Sequence, residues 1–255
     1  MAPLVSIITV VFNGIADIEN TIKDVLAQTY PNKEYIIIDG GSTDGTVAVI
    51  EKYKDKLSYF VSEKDSGIYD AMNKAMQWVN GEWVNFMNSG DSFYNHKTIA
   101  ELFELNNEKY DIIYGNYIAN YAKNGQRLIK AALPQAPHQM VLSHQSVFAR
   151  SQVLRRFPFD TRLRISADLK FYEQCWKQGL KFHYYPQVIS VRSHAGLSDI
   201  NRTLAFRENS MVLEEFYDPK IVKRLMQKLK LMHLIKSGAK KILPSFLQRI
   251  YRKNM

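Results

Sequence analysis

The chain has 255 residues, which is enough for one large α/β domain or two small ones, and its 46% hydrophobic content is ordinary for a soluble globular protein. A single cysteine, Cys175, excludes a disulfide framework and a cysteine-based zinc site and fits a reducing compartment. The net charge of +9 belongs to the end of the chain: 11 of the 34 Lys and Arg residues, and no Asp or Glu, lie from Lys220 onward, so the first 219 residues carry a net charge of −2. A near-neutral domain does not indicate nucleic-acid binding.

No segment is predicted to cross a membrane. The apolar run from Met1 to Val11 has no basic residues before it and is too short for a signal peptide or a spanning helix. No other segment approaches 18 uninterrupted apolar residues. We therefore expect Met1 to Val11 to contain the first strand.

Strands and helices are predicted to alternate through the first half of the chain. Short apolar, β-branched runs predict buried strands, and apolar residues at helical spacing predict the helices between them. The strands are Leu4–Phe12, Glu34–Ile38, Leu57–Ser62 and Trp83–Asp91, and the helices are Ile15–Gln28, Thr46–Tyr53 and Ile68–Val79. This order predicts an α/β fold with a mostly parallel sheet flanked by helices.

The second half is predicted to add strands to the same domain. Residues 1–200 are interpreted as that domain and residues 201–255 as a basic amphipathic tail. The predicted elements are helix Thr98–Leu105, strand Asp111–Tyr117, a hairpin around Asn124–Gly125, strand Gln145–Ala149, helix Ala167–Gln178 and strand Phe182–Val191.

Polar or acidic residues follow each of the first four strands. Asn13 follows the first strand, Asp39 the second, and residues 62–67 the third. The fourth strand ends in Asn88-Ser89-Gly90-Asp91. Because ligands bind where the carboxyl ends of parallel strands gather, this pattern indicates a ligand site, although turn or capping roles explain each residue singly.

Five segments resemble successive motifs of family 2 glycosyltransferases: VSIITVVFNG, EYIIIDGGSTDGT, SEKDSGIYDAMNKA, NSGDSF and SADLKF. The resemblance covers about Pro3 to Ser198 and is nearest to short bacterial members that build cell-surface polysaccharide. It implies the GT-A fold, a nucleoside-diphosphate sugar as donor, expected to be a UDP-sugar, and inversion at the transferred hexose.

The resemblance implies a donor site that the residue chemistry also supports. Asp39 would accept a hydrogen bond from the base, and Thr9 and Asn13 would line the nucleoside pocket. Asp65 and Asp70 would lie near the ribose and diphosphate, with Lys74 able to reach the diphosphate. The alternatives are an N-cap or Asx turn for Asp39 and a solvated surface role for Lys74.

The resemblance also implies a divalent metal, Mn²⁺ or Mg²⁺. Family members end the fourth strand in an Asp-rich motif, of which only Asp91 is a carboxylate here. Asn88 replaces an acidic residue and could contribute its amide oxygen, because hard cations also accept neutral oxygens. His194 lies where some GT-A enzymes have a metal-binding histidine, although a lone His in a polar loop is more often a surface residue.

Asp168 is the predicted catalytic base, because the family has a carboxylate at a helix start at this distance after the metal motif. Inverting transfer needs one carboxylate to take the acceptor hydroxyl's proton. Ala167 stands where a second acidic residue is usual, and the alternative role for Asp168 is to favour the helix dipole. His144 and Gln145 match a pair in related short members and are expected to line a sugar.

The tail from Lys220 has apolar residues at helical spacing with Lys and Arg between them. This pattern predicts a helix bound to an anionic membrane surface, and the alternative is a helix packed on its own domain. The expected acceptor is a glycan or a polyprenyl-linked oligosaccharide at the inner face of the cell membrane. The alternative functions are a non-catalytic nucleotide-sugar-binding protein and a nucleotidyltransferase, although a nucleotidyltransferase would need a glycine-rich basic loop that Asn13–Ala16 lacks.

Overall fold

The computed structural model describes residues 2–104, 107–121, 125–133, 140–193 and 201–242, with the main chain alone for 231–242. Nine strands within these residues form one sheet. Its first four strands are parallel in the order β3-β2-β1-β4, and they are β1 (Val5–Val11), β2 (Lys33–Asp39), β3 (Tyr59–Ser62) and β4 (Trp83–Phe86). All residues of β1 are buried, as expected for a strand covered by helices on both faces.

Three helices connect these strands: α1 (Ile18–Ala27), α2 (Thr46–Glu51) and α3 (Ile68–Ala75). Helix α1 buries Ile18, Ile22 and Val25 against one face of the sheet, and α3 packs against the other. The helices cover both faces because alternate strand residues point in opposite directions, so each face needs its own apolar cover. The predicted α/β architecture is therefore confirmed.

The second half makes the sheet mixed. It contains β5 (Ser92–Phe93), α4 (Thr98–Phe103), β6 (Ile112–Tyr121), β7 (Gly125–Ile129), β8 (Val147–Arg150), α5 (Ser151–Arg156), α6 (Ala167–Lys177) and β9 (Phe182–Arg192). Strand β8 lies antiparallel between β4 and β6, β9 runs parallel to β6, and β5 pairs antiparallel with β9. The predicted hairpin is confirmed as β6 and β7.

Two segments differ from the sequence prediction in ways that affect the site. Strand β4 ends at Phe86, not at Asp91, because the chain turns there: the Asp91 amide donates to the Asn88 carbonyl, and Gly90 has φ +92°. The predicted strand at Gln145 begins instead with a 3₁₀ turn over His144–Ser146. The polar side chains of both segments therefore lie in loops, as the sequence already indicated for the residues that follow the fourth strand.

The C-terminal segment forms two helices, α7 (Arg202–Phe216) and α8 (Pro219–Ile242). Helix α7 packs on the sheet domain, since Val212 is fully buried in the core that also contains Ile8 and Phe86. Helix α8 packs on α7 through Val222 and Met226. The predicted tail therefore contacts the domain through α7, and the first part of α8 packs on α7. Within the residues described, no helix is long and apolar enough to cross a membrane.

Candidate active site

A cavity of about 750 Å³ opens at the carboxyl ends of β1, β3 and β4. Loops after these strands form one wall, and the 3₁₀ turn, the start of α6 and helix α7 form the other. The cavity brings together seven of the residues predicted to form the site, namely Asn13, Asp65, Asn88, Asp91, His144, Gln145 and Asp168. Thr9, Asp39, Asp70 and Lys74 do not line it, and His194 lies outside the described residues.

Asp39 is fully buried and organises the loop after β2. Its Oδ2 accepts hydrogen bonds from the Gly41 amide at 3.0 Å, the Ser42 amide at 2.8 Å and the Ser62 hydroxyl at 2.6 Å. Its Oδ1 accepts from the Ser42 hydroxyl. This is the Asx turn given above as the alternative role, and it positions the loop beside Asn13, whose amide donates to the Ser42 hydroxyl.

Thr9 lies in the core beneath the cavity. Its side chain is fully buried, donates to the Met87 carbonyl at 2.7 Å and contacts the Tyr35 hydroxyl at 2.9 Å. Residues alternate faces along a strand, and Thr9 faces the core that α1 covers. The expectation that Thr9 lines the nucleoside pocket does not agree with this position.

Asp65 and Asp70 both organise the start of α3, but only Asp65 lines the main cavity. Asp65 accepts from the Gly67 amide, and burial raises the pKa of its carboxyl group. Asp70 accepts from the Ser66 amide and lines a smaller cavity of about 320 Å³ beside it. Lys74 is held on the surface of α3 by Glu63, by Asp70 and by a hydrogen bond to the Lys64 carbonyl. This is the surface alternative for Lys74.

Asp91 and Asn88 form the acidic side of the cavity. Asp91 is 6% exposed and accepts hydrogen bonds from Gln145 Nε2 at 2.5 Å and from the Ser193 amide at 2.8 Å. Burial raises the pKa of Asp91, and these two hydrogen bonds oppose that shift. Asn88 is buried, and its Oδ1 has no hydrogen-bond partner among the described residues.

The unpartnered oxygen of Asn88 and the carboxylate of Asp91 are a donor set that fits a hard divalent cation. Such ions take oxygen ligands from carboxylates, amides, waters and phosphates. No group of three His, Cys, Asp or Glu side chains in the described part of the chain could hold a metal. The protein therefore offers part of a coordination shell, which a ligand carrying phosphate oxygens could complete.

Asp168 lies at the first turn of α6, facing the same cavity. Its Oδ1 accepts from the Leu169 amide at 2.8 Å and lies 3.1 Å from the Tyr69 hydroxyl. Its Oδ2 lies 3.3 Å from His144 Nδ1. The carboxyl group is thus fixed by contacts from three separate parts of the chain. It also remains about one-fifth exposed, so a small polar group can reach it.

Helix α7 fixes the segment that leads into α6. The buried carboxylate of Glu208 accepts hydrogen bonds from the main-chain amides of Arg164, Ile165 and Ser166 at 2.8 to 3.0 Å. Asn209 accepts from the Ser166 hydroxyl and lines the cavity. These contacts fix the segment just before α6 from a helix that follows in the chain, and hence they help to determine where Asp168 lies.

Sequence reasoning missed several cavity residues. Phe12 lines the cavity and is 64% exposed, which is unusual for a large apolar side chain next to a buried strand. The sequence could have indicated Phe12, because it directly precedes Asn13, which was predicted to line the site. Tyr69 stands within the GIYDAMNKA motif and could also have been found. Glu208 had no such signal, since it lies in the segment from residue 201 onward, which was predicted as a helical tail and not as part of the active site.

Comparison with known proteins shows which family this chain resembles. The family model described as "Glycosyl transferase family 2" matches residues 6–188. An uncharacterized glycosyltransferase of Mycobacterium tuberculosis is 32% identical over 179 residues, which cover 67% of this chain and 68% of the relative. A glycosyltransferase of Mycobacterium bovis named for PGL/p-HBAD biosynthesis is 27% identical over 216 residues, covering 81% and 82%.

Two solved structures share the fold. TarS of S. aureus, crystallised with UDP, superposes with a TM-score of 0.64 and 17% identity over 97% of this chain and 78% of that one. The mannosyltransferase PcManGT of Pyrobaculum calidifontis, solved with GDP-Man and Mn²⁺, gives a TM-score of 0.68 and 15% identity over 100% and 80%. Taken with the match over residues 6–188, these findings show that the chain belongs to glycosyl transferase family 2 and has its GT-A fold.

Proposed function

We propose that this protein is an inverting hexosyltransferase that moves one sugar from a nucleoside-diphosphate donor to a hydroxyl group of a glycan acceptor. The observation that carries this proposal is the single cavity in which Asp91 and Asn88 face one side and Asp168 the other. One side supplies hard oxygen ligands and the other a fixed carboxylate. Inverting transfer needs both a site for the diphosphate and a separate base.

In the proposed reaction, Asp168 acts as the general base. The acceptor oxygen forms a bond to the anomeric carbon while the bond from that carbon to the diphosphate oxygen breaks. Asp168 takes the hydroxyl proton during this step, and the electron pair of the broken bond leaves with the diphosphate. The contacts from Leu169 and His144 hold the carboxyl group in place, which reduces the cost of orienting it.

Asp91, with the amide oxygen of Asn88, is proposed to hold Mn²⁺ or Mg²⁺ together with the donor diphosphate. A bound divalent ion neutralises charge that develops on the leaving diphosphate. The burial of Asp91 supports this role, because a cation beside a buried carboxylate offsets the cost of removing its charge from water. The PcManGT structure, which contains GDP-Man and Mn²⁺, supports a divalent ion in general.

The donor is proposed to be a UDP-sugar bound between the β1 and β2 loops and α3. Asn13, Asp39, Asp65 and Asp70 are the proposed contacts or loop-organising residues, with Lys74 more distant. The exposed ring of Phe12 offers a surface on which a base can stack. TarS, a neighbour by fold, has been crystallised with UDP and with UDP-GlcNAc, which supports uridine as the nucleoside.

The acceptor is proposed to be a polyprenyl-linked glycan of a bacterial surface polysaccharide, reached at the inner face of the cell membrane. Helix α8 supports this: it buries Val222 and Met226 against α7, and the basic side chains described between residues 220 and 230 are exposed. Those exposed side chains are Lys220, Lys223, Arg224, Lys228 and Lys230. A basic helix face next to exposed Ile221 is suited to an anionic lipid surface.

The catalytic proposal is tested by Asp168→Asn. We expect transfer to fall by about 10²–10⁴-fold, because general-base catalysis is worth that much, while nucleotide binding stays unchanged. Transfer is measured from a labelled UDP-sugar to a polyprenyl-diphosphate-linked sugar, with Asp55→Asn on the exposed surface as control. Unchanged turnover by Asp168→Asn would remove Asp168 as the base.

The donor is identified by thermal shift with UDP, GDP, CDP and dTDP, each with and without Mn²⁺. Ligands that bind only the folded state raise its melting temperature. A metal-dependent shift with UDP is expected. If no nucleotide shifts the melting of folded protein and no transfer is found, the transferase proposal fails.

Membrane binding is tested without disturbing the helix packing. Lys223, Lys228 and Lys230 are exposed, so replacing all three with Gln leaves Val222 and Met226 in place. We expect sedimentation with phosphatidylglycerol vesicles to fall, since each basic residue contributes about 1 kcal/mol at an anionic surface. The matched control replaces the exposed Lys52, Lys54 and Lys56 with Gln. Equal binding by both triple variants would contradict the role of α8.

A further inference from the structure

The 3₁₀ turn over His144–Ser146 is the physical link between the two sides of the cavity. Successive side chains on such a turn diverge by about 120°, because it has three residues per turn. His144 therefore reaches Asp168, while Gln145 next to it reaches Asp91. Two neighbouring residues thus contact both carboxylates that the proposed function uses.

Both ring nitrogens of His144 are engaged within the protein. Nδ1 lies 3.3 Å from Asp168 Oδ2, and Nε2 lies 2.8 Å from Asn88 Nδ2. An ionised carboxylate only accepts hydrogen bonds, so Nδ1 must carry the hydrogen. The amide nitrogen of Asn88 only donates, so Nε2 must present its lone pair. The two contacts agree on one form of the ring, the neutral imidazole with hydrogen on Nδ1.

The same contacts leave no ring nitrogen for a sugar hydroxyl. The side chain of His144 is 15% exposed, and each of its two polar atoms already has a protein partner. A direct sugar contact, which the sequence suggested, would require one of these hydrogen bonds to break. The ring is better placed to orient its neighbours than to bind substrate.

We propose that His144 is a positioning residue that orients the Asp168 carboxylate through Nδ1–H and the Asn88 amide through Nε2. By taking the Asn88 nitrogen as its donor, the ring leaves the Asn88 oxygen without a protein partner and available for a cation. The asparagine that replaces the family's acidic residue is then matched to the histidine, because a carboxylate at residue 88 could not donate to Nε2. This inference rests on the proposed role of Asp168 as the base.

The first test reads the tautomer directly and needs no substrate. The ¹³C shift of the histidine Cδ2 differs between the two neutral tautomers, so NMR of labelled folded protein reports which nitrogen carries the hydrogen. We expect the Nδ1–H form for His144, assigned by comparison with His144→Asn. The Nε2–H form in the folded wild-type protein would overturn the proposal, whatever the enzyme's activity.

The second test uses two amides that each replace one ring nitrogen. The amide of Asn reaches about the position of Nδ1, and that of Gln about the position of Nε2. We expect His144→Asn to keep kcat within about 10-fold of wild type and His144→Gln to lose about 100-fold, as for other outer partners of a reacting group. The KM for the UDP-sugar is expected to change little in either variant. Equal kcat for both variants, or a loss confined to KM, would overturn the positioning role.

The two tests separate this inference from the proposed function. If Asp168→Asn remains active, the base assignment fails, although the tautomer measurement still reports the contact geometry. If Asp168→Asn is inactive but His144→Gln is as active as His144→Asn, the base assignment stands and the positioning role fails. Thermal melting of both His144 variants shows whether each is folded, and the wild-type NMR measurement decides the question if one is not.

Discussion

The carboxylates of the N-terminal region (residues 2–104) and of the C-terminal region (residues 107–216) are fixed in different ways. In the N-terminal region Asp39, Asp44 and Asp65 each accept main-chain hydrogen bonds from residues two or three positions ahead, to which Asp39 adds the distant Ser62 hydroxyl and Asp44 the distant Ile15 amide. In the C-terminal region, Asp168 contacts residues 24 and 99 positions away, and Glu208 contacts residues 42 to 44 positions away. Local contacts shape individual loops, whereas distant contacts fix the loops relative to one another.

Asp91 belongs to the N-terminal region by sequence but to the C-terminal region by its contacts. Its carboxylate is held by Gln145 and by Ser193, which are 54 and 102 positions away. The cavity therefore depends on contacts that close only when the two regions pack together. This difference predicts that distant contacts matter more for activity and stability than local ones.

The largest effect is expected at Asp91. Asp91→Asn turns an amide N–H toward either Gln145 Nε2 or the Ser193 amide, both of which are donors themselves. It also removes the negative charge that is proposed to bind the cation. We expect transfer to fall by more than about 100-fold. Loss of a residue that only hydrogen-bonds a metal ligand typically lowers activity by about 10–100-fold, and loss of a ligand itself should lower it further. The Mn²⁺-dependent part of the UDP thermal shift should also disappear. A variant that keeps the metal-dependent shift would show that Asp91 does not bind the cation.

The second effect is on stability, at Glu208. Glu208→Ala leaves the amides of Arg164, Ile165 and Ser166 without their acceptor, and a buried unsatisfied donor costs about 1–3 kcal/mol. We expect the free energy of unfolding in urea to fall by at least that amount. Glu214→Ala, on the exposed side of the same helix, is the control and should change it little. Equal stability of the two variants would show that the hydrogen bonds to Glu208 do not stabilise the fold.

The third effect concerns Asp24 of α1, whose partner Phe93 lies 69 positions away within the N-terminal region. Its carboxylate accepts from the Phe93 amide at the start of β5, and burial raises its pKa to about 6. The unfolded chain has an ordinary pKa near 4, so the folded state binds the proton more tightly. The stability from protonated Asp24 is complete below about pH 4 and is lost as the pH rises through about 6.

Asp24→Asn removes this pH dependence, because the Asn side chain does not titrate and its oxygen can still accept from Phe93. We compare the free energy of unfolding of Asp24→Asn with that of the wild-type protein. From pH 4 to pH 7 we expect this difference to change by about 1–2 kcal/mol in favour of the Asn variant, after allowance for solvent screening. Urea unfolding at several pH values measures it. A difference that is constant with pH would show that Asp24 titrates normally.

The smallest effect is expected for a local contact. Ser42→Ala removes one hydrogen bond to Asp39 and one to the Asn13 amide, but Asp39 keeps the Gly41, Ser42 and Ser62 donors. Each such bond is worth about 0.5–1.5 kcal/mol, and neither of the two is fully buried, whereas Glu208→Ala removes three bonds and leaves the buried Ser166 amide unsatisfied, so the loss should stay below that of Glu208→Ala. Urea unfolding measures both variants. A larger loss for Ser42→Ala would reverse the comparison between local and distant contacts.

The sequence by itself determined the four parallel strands and the loop residues at their ends. Apolar, β-branched runs such as Val5–Val11 fold the same way wherever they are buried, and turn chemistry marks where they stop. The family motifs then indicated Asp91 and Asp168. These features are encoded over a few neighbouring residues, and a single sequence displays them directly.

Only the tertiary structure decided which of those residues meet. The sequence pattern at Thr9 does not say which face of its strand turns to the cavity, and that depends on which face α1 covers. Glu208 accepts from the Arg164 amide 44 positions away. His144 contacts Asn88 and Asp168, which are 56 and 24 positions away. Such contacts follow from how helices and strands pack on one core, and no local pattern of residues specifies that packing.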